Sequence, residues 1–253
     1  ESVFGESMQR AIILNNKAML FQTVGRYEEA SSVMQDAIKT SSSKSSGKKM
    51  LFRGFDNRKF RVNLAYIYQL SGKYTEAEKI FVEIKKEYEI NATAKNADYA
   101  GLLNQMGILY IQMGKLEKVE ELLKKSKEIY KARYTEDNMY YAKATNDLGN
   151  FYRMQARYAD AEKQLNKALS IRETLLGVKH PEYVKTQENL AILYWKTGKL
   201  EQAYMMYRDV MDKTIEFINL YFPPMSEAEK TNFWDITAPR FQRFYSFALE
   251  ASP

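Results

Sequence analysis

Apolar and polar residues along the chain follow one pattern that returns five times. Each copy is anchored on a short turn: Gly25–Ala30, Gly72–Ala77, Gly114–Val119, Ala156–Ala161 and Gly198–Ala203. The turns lie 47, 42, 42 and 42 residues apart, and equal intervals of this length mark a repeat protein. Eight residues before the turn stands Leu64, Met106, Leu148 or Leu190, with Lys17 the exception. The next residue is small (Ala18, Ala65, Gly107, Gly149, Ala191), and four before the turn comes an aromatic (Phe21, Tyr68, Tyr110, Tyr152, Tyr194). Large, small, then aromatic at i, i+1 and i+4 is one helix face, and the small residue lets a second helix come close. After the turn a second stripe reads Ala30, Ala77, Val119, Ala161, Ala203, then Met34, Phe81, Leu123, Leu165, Tyr207. Each repeat is therefore expected to be a helix hairpin closed by a short turn.

This pattern resembles the tetratricopeptide repeat, whose usual period is about 34 residues. The 42-residue period resembles the subclass in kinesin light chains and in repeat arrays of many bacterial multidomain proteins. There the second helix runs into A-L-x-I-R-E-x-x-L-G-x-x-H-P, complete here once, from Ala168 to Pro181. The likeness covers roughly residues 10–222. It implies an all-α right-handed solenoid with repeats near 7–40, 56–90, 98–133, 138–176 and 181–222. It also implies a non-catalytic scaffold that binds a protein or peptide segment in a concave groove.

Composition agrees with helix throughout. Hydrophobic residues make up 45% of 253, with 19 Tyr and 13 Phe, and Pro181 is the only proline before Pro223. With no cysteine, disulfide scaffolds, cysteine nucleophiles and thiolate metal sites are excluded. No apolar run reaches the roughly 18 residues that would suggest a membrane span, so no membrane insertion is expected. The chain opens on Glu1 rather than Met, as a processed or trimmed form does, so a cytoplasmic chain and one that has shed a signal peptide both fit.

The net charge of +6 is local. Eight basic residues between Lys39 and Arg61 stand against Asp56, so this stretch carries +7 and the remainder sums to −1. Within it Ser41–Gly47 is low-complexity, and 41–55 reads as a mobile basic loop: a solvated linker, or else a docking arm or modification site. Nucleic-acid binding through 39–61 is the weakest reading, since only Phe52 and Phe55 offer stacking surface.

Beyond residue 222 the period stops. Ser226 with Glu229 forms a capping box, and Pro239 is expected to end or kink that helix before a second one reaches Glu250. Residues 223–253 then read as capping helices over the open end of the array. The same segment resembles the junction that precedes a caspase-like (CHAT) protease domain in bacterial proteins. That likeness implies an alternative role, the sensor part of a larger protease in the same full-length chain.

No catalytic residue, metal site or cofactor is expected. His180 is the lone histidine and precedes Pro181, a helix-entry position. Glycines sit singly, never in a phosphate-binding loop. The informative polar residues lie on the first helices, where Asn15, Asn104, Asn146 and Glu188 have beside them Asn16, Asn63, Gln105, Asp147 and Asn189. Amides offer a donor and an acceptor to the main chain of an extended peptide. The resemblance assigns an equivalent asparagine row in kinesin light chains to that work. Interhelix hydrogen bonds are the alternative use. The candidate peptide-binding set is Asn104, Asn146, Asn150, Arg153, Lys185, Asn189 and Trp195. Arg153 and Lys185 are expected to accept an acidic side chain of the ligand, and Trp195 with Ile192 to offer a pocket for a large apolar one. A two-carboxylate clamp is not expected, because its cations are missing.

Overall fold

A computed structural model describes residues 3–42, 57–91 and 96–251, and these form an all-α helical repeat fold with no strand among them. The chain divides into two compact units, residues 1–94 and 95–253. The first holds α1 (Val3–Thr23), α2 (Tyr27–Ser42), α3 (Arg58–Leu70) and α4 (Tyr74–Ile90). The second holds α5 (Ala97–Gln112), α6 (Val119–Tyr134, entered by a 3-10 turn at Leu116–Lys118), α7 (Met139–Met154) and α8 (Tyr158–Leu176). It continues through α9 (Pro181–Lys196), α10 (Leu200–Tyr221) and α11 (Glu227–Ala251). Within each unit every helix packs on its successor, and first helices of adjacent repeats also touch.

The repeated stripes are the core. Ala30, Ala77, Val119, Ala161 and Ala203 are all 0% exposed, as are Met34, Phe81, Leu123, Leu165 and Tyr207. Gly107 and Gly149 sit where a second helix presses closest. A Cβ on Gly149 would stand 2.9 Å from Leu165 Cγ and 3.2 Å from Gln164 Cβ, and one on Gly107 would stand 2.8 Å from a Leu123 methyl.

The five turns share one geometry. The second residue of the turn donates its N–H to the carbonyl of the aromatic five residues back: Arg26 to Phe21, Lys73 to Tyr68, Lys115 to Tyr110, Arg157 to Tyr152, Lys199 to Tyr194, at 2.8–2.9 Å. This Schellman closure needs a left-handed residue just before it. Four repeats place glycine there, at φ of 72–78°, while the fourth repeat puts Ala156 at φ 56°.

Repeats four and five are joined by the complete motif. Arg172, 1% exposed, donates to the Glu182 carbonyl at 2.8 Å and to Thr186, and pairs with the Glu182 carboxylate at 2.6 Å. A cation this deep requires partners on the facing helix, and the start of α9 supplies them. His180 caps that start, its Nδ1 accepting from the Glu182 N–H at 3.1 Å, with Pro181 at the first helical position.

Two boundaries differ from the sequence reading. Ser41 and Ser42 extend α2, each hydroxyl donating to the Ile38 carbonyl at 2.8 Å. The remainder of the expected loop, residues 43–55, lies outside the described residues. The tail is one helix, not two: α11 runs through Pro239. Packing on both sides of the proline, Phe233 on Phe217 and Phe247 on Tyr207, holds the helix across it.

Two substitutions check these packing assignments. Gly149→Leu should lower unfolding stability by about 1–3 kcal/mol through overpacking against Leu165. Ala156→Gly should raise it by roughly 0.5–1 kcal/mol by relieving left-handed strain. Urea titrations of both variants read the two signs.

Candidate functional site

The first-helix amides bond to one another across repeats. Asn63 Nδ2 donates to Asn15 Oδ1 at 2.9 Å in the first unit. In the second, Asn104 Nδ2 donates to Asp147 Oδ2 at 2.8 Å, and Asn189 Nδ2 to Asn146 Oδ1 at 3.0 Å. Each bond joins a residue of one first helix to the neighbouring position one repeat along. Asn146 Nδ2 closes the row onto Asp147 Oδ1 at 3.1 Å, and Lys143 pairs with Asp147 at 3.0 Å. Burial alone would raise the Asp147 carboxyl, but Lys143 and the two amides outweigh it and hold it below the usual carboxylate range.

The candidate residues therefore divide into three groups. Asn104 and Asn146 are 3% and 1% exposed and serve as internal rungs. Asn150 and Asn189 are half-buried and Lys185 is exposed, so this trio forms the open edge. The amide oxygens of Asn104 and Asn150 have no hydrogen-bond partner among the described residues. Arg153 and Trp195 lie toward α11. Burial lowers the Arg153 guanidinium, with Tyr207, Arg243 and Glu188 as its charged or polar surroundings. Trp195 meets Phe247 edge-on, ring centroids 5.7 Å apart. The apolar pocket expected at Trp195 is thus filled by the chain's own tail.

That tail is anchored by charge as well. Glu188, only 5% exposed, accepts from Arg240 Nε at 2.9 Å and Arg243 Nε at 3.0 Å, while Arg240 also donates to Thr214 at 2.8 Å. Phe247 is fully buried, with Tyr207 at 5.0 Å.

One recurring device escaped the sequence reading. The basic residue at the second position of each turn lies over the aromatic whose carbonyl it bonds: Arg26 on Phe21, Lys73 on Tyr68, Lys115 on Tyr110, Arg157 on Tyr152, Lys199 on Tyr194. Several reach on to a carboxylate of the preceding repeat, Lys73 to Glu28, Arg157 to Glu120 and Lys199 to Glu162. The invariable Lys or Arg at the second turn position was the signal for it.

The basic stretch is partly committed. Arg61 pairs with Glu83 and Glu87, and Arg58 covers the Tyr88 ring at 4.0 Å. Lys44, Lys48, Lys49 and Arg53 lie outside the described residues. Among the described residues no cluster of His, Cys, Asp and Glu could hold a metal ion, and no helix is long and apolar enough to cross a membrane.

One family model, described as tetratricopeptide repeat, matches residues 59–132 and 140–213, and another with the same description matches 11–43. No curated protein matches the sequence. Among solved structures, the TPR-like repeats attributed to a kinesin light chain of P. anserina superpose with a TM-score of 0.63 at 17% identity, covering 83% of this chain and 97% of that one. BtubC (BKLC) from P. vanneervenii gives 0.66 at 18%, covering 90% and 96%. A Rap protein complexed with competence and sporulation factor gives 0.67 at 15%, covering 96% of this chain and 66% of that one.

The polar rows have measurable consequences. Asn146→Ala strands Asn189 Nδ2 and should cost about 1–3 kcal/mol of stability in a denaturant titration. Glu120 accepts from Lys124, Arg157 and Tyr152, which together hold its carboxyl down at about 2, Lys124 contributing most. Its folded value is depressed, so its contribution is complete above the unfolded value of about 4.3 and is lost as pH falls toward 2. Glu120→Gln should therefore melt lower than wild type at pH 7, with the gap closing between pH 4 and 2.

Proposed function

Because the chain belongs to the tetratricopeptide repeat family, whose fold is typical of protein–protein interaction modules, we propose that it binds an extended peptide along the first-helix face of α5, α7 and α9. The observation that carries this reading is the continuous polar row on that face, at positions the apolar core does not need. Asn104 and Asn146 keep the row in register through their inter-repeat bonds, while half-buried Asn150 and Asn189 and exposed Lys185 line its edge. Lys185 has no charged partner among the described residues, so it favours a carboxylate on the ligand. Half-buried Ile108 and Ile192 flank the row and suit an apolar side chain. Arg153 and Trp195 belong to the same face at the end that α11 occupies. The structurally similar Rap protein holds competence and sporulation factor, a precedent for ligand capture by this fold.

This is a binding role without chemistry. The one histidine is used as a helix cap, and the Asp147 carboxylate on this face is paired with Lys143. The protein or peptide partner is defined by its acidic and apolar residues.

A peptide array of extended sequences containing Asp or Glu beside Leu, Ile or Phe tests the reading. Peptides that bind wild type should bind Lys185→Glu about tenfold more weakly, equivalent to roughly 1.4 kcal/mol. Thermal melts of the two chains should coincide, because Lys185 is exposed and outside the core. Array hits that ignore both Lys185→Glu and Asn150→Ala would overturn it.

A further inference from the structure

We infer that the surface made by Glu188, Trp195 and Tyr207 is a docking site for a helix bearing Arg-x-x-Arg-x-x-x-Phe, and that α11 is its built-in, displaceable occupant. The site adjoins the extended-peptide edge at Trp195 but takes a different ligand, and it does not rest on that reading.

The fifth repeat departs from its predecessors at one buried polar position. Glu188 occupies the position held by Asn146 one repeat earlier and by Asn104 two repeats earlier. An amide there bonds to the next first helix as a neutral group. A carboxylate at 5% exposure instead demands cations, because a buried unpaired charge is costly. Arg240 and Arg243 meet that demand from α11. Four residues further on, Phe247 inserts between Trp195 and Tyr207 and is completely buried. Charge and aromatic contact together select a basic, aromatic helix.

The rest of α11 is held shallowly. Among its described side chains only Thr237 and Phe247 are buried, whereas α9 buries nine. Pro239, one residue before the first arginine, removes a backbone hydrogen bond within the helix. Pro223 and Pro224 set α11 off from α10. Beyond Pro239 the main anchors are Arg240, Arg243 and Phe247, with Phe244 against Tyr207 and, before the proline, Phe233 against Phe217 as shallower contacts. Another helix that offers the same three anchors can replace this one without opening the repeats beneath it. The partner is accordingly a protein helix with two arginines one turn apart and a phenylalanine one turn beyond them.

The probe is a fluorescein-labelled synthetic peptide of residues 226–251, titrated into the full chain and followed by anisotropy. Wild type should bind it weakly, since α11 competes from within the molecule. The full chain carrying Arg240→Ala, Arg243→Ala and Phe247→Ala should bind it at least tenfold more tightly. Adding Glu188→Gln to that variant should abolish the gain. Equal binding by wild type and the triple variant, or a gain that survives Glu188→Gln, would overturn the proposal. Circular dichroism checks that the triple variant keeps its helices. If it does not, hydrogen exchange on the unmodified chain decides. The α11 amides should then exchange at least tenfold faster than those of α9, and equal protection refutes displacement. Lys185 is left unchanged in every variant here, so the outcome is independent of the extended-peptide test.

Discussion

The close approach of two helices at a small residue governs each hairpin. Leu165 fills the space that Gly149 leaves, and Leu123 the space left by Gly107, at distances a side chain on either glycine would violate. Once those helices are that near, the aromatic four residues before the turn must lie over the turn itself. Its carbonyl then becomes the acceptor that closes the Schellman bond. The core contact and the turn are thus one constraint expressed twice, and the same geometry recurs wherever the spacing recurs.

Charge joins one hairpin to the next. The cation after each turn covers its own aromatic, and in several repeats it continues to a glutamate on the previous second helix. Exposed ion pairs alone contribute little. Here the aromatic plate fixes the cation beforehand, so less side-chain freedom is lost when the glutamate is met. The first helices are joined separately, through amide rungs that leave one edge of the row polar and open.

The hairpins were legible because their stripes have the helical period and the stripe residues are the ones that become fully buried. His180 was legible as a cap because proline follows it. The amide row was legible as a recurrence, but its bonding was not. Whether Asn146 meets Asp147, Asn189 or a ligand depends on the stagger between repeats, which no single helix encodes. That stagger turned Asn104 and Asn146 from surface candidates into rungs. The tail was misread at Pro239, where a local rule about helix breaking yielded to packing against α10 on both sides of the proline.

The end of the row explains the character of the tail. A repeat array must stop somewhere, and its last first helix has no neighbour to complete its polar positions. An asparagine at 188 could have faced water at little cost. Glutamate cannot remain buried without cations, so its presence couples the last repeat to whatever supplies them. In this chain Arg240 and Arg243 do so, and they bring Phe247 onto Trp195 and Tyr207. One carboxylate therefore converts a generic array end into a surface with a chemical preference. The same carboxylate is why the residues expected to form the ligand's apolar pocket are found already occupied.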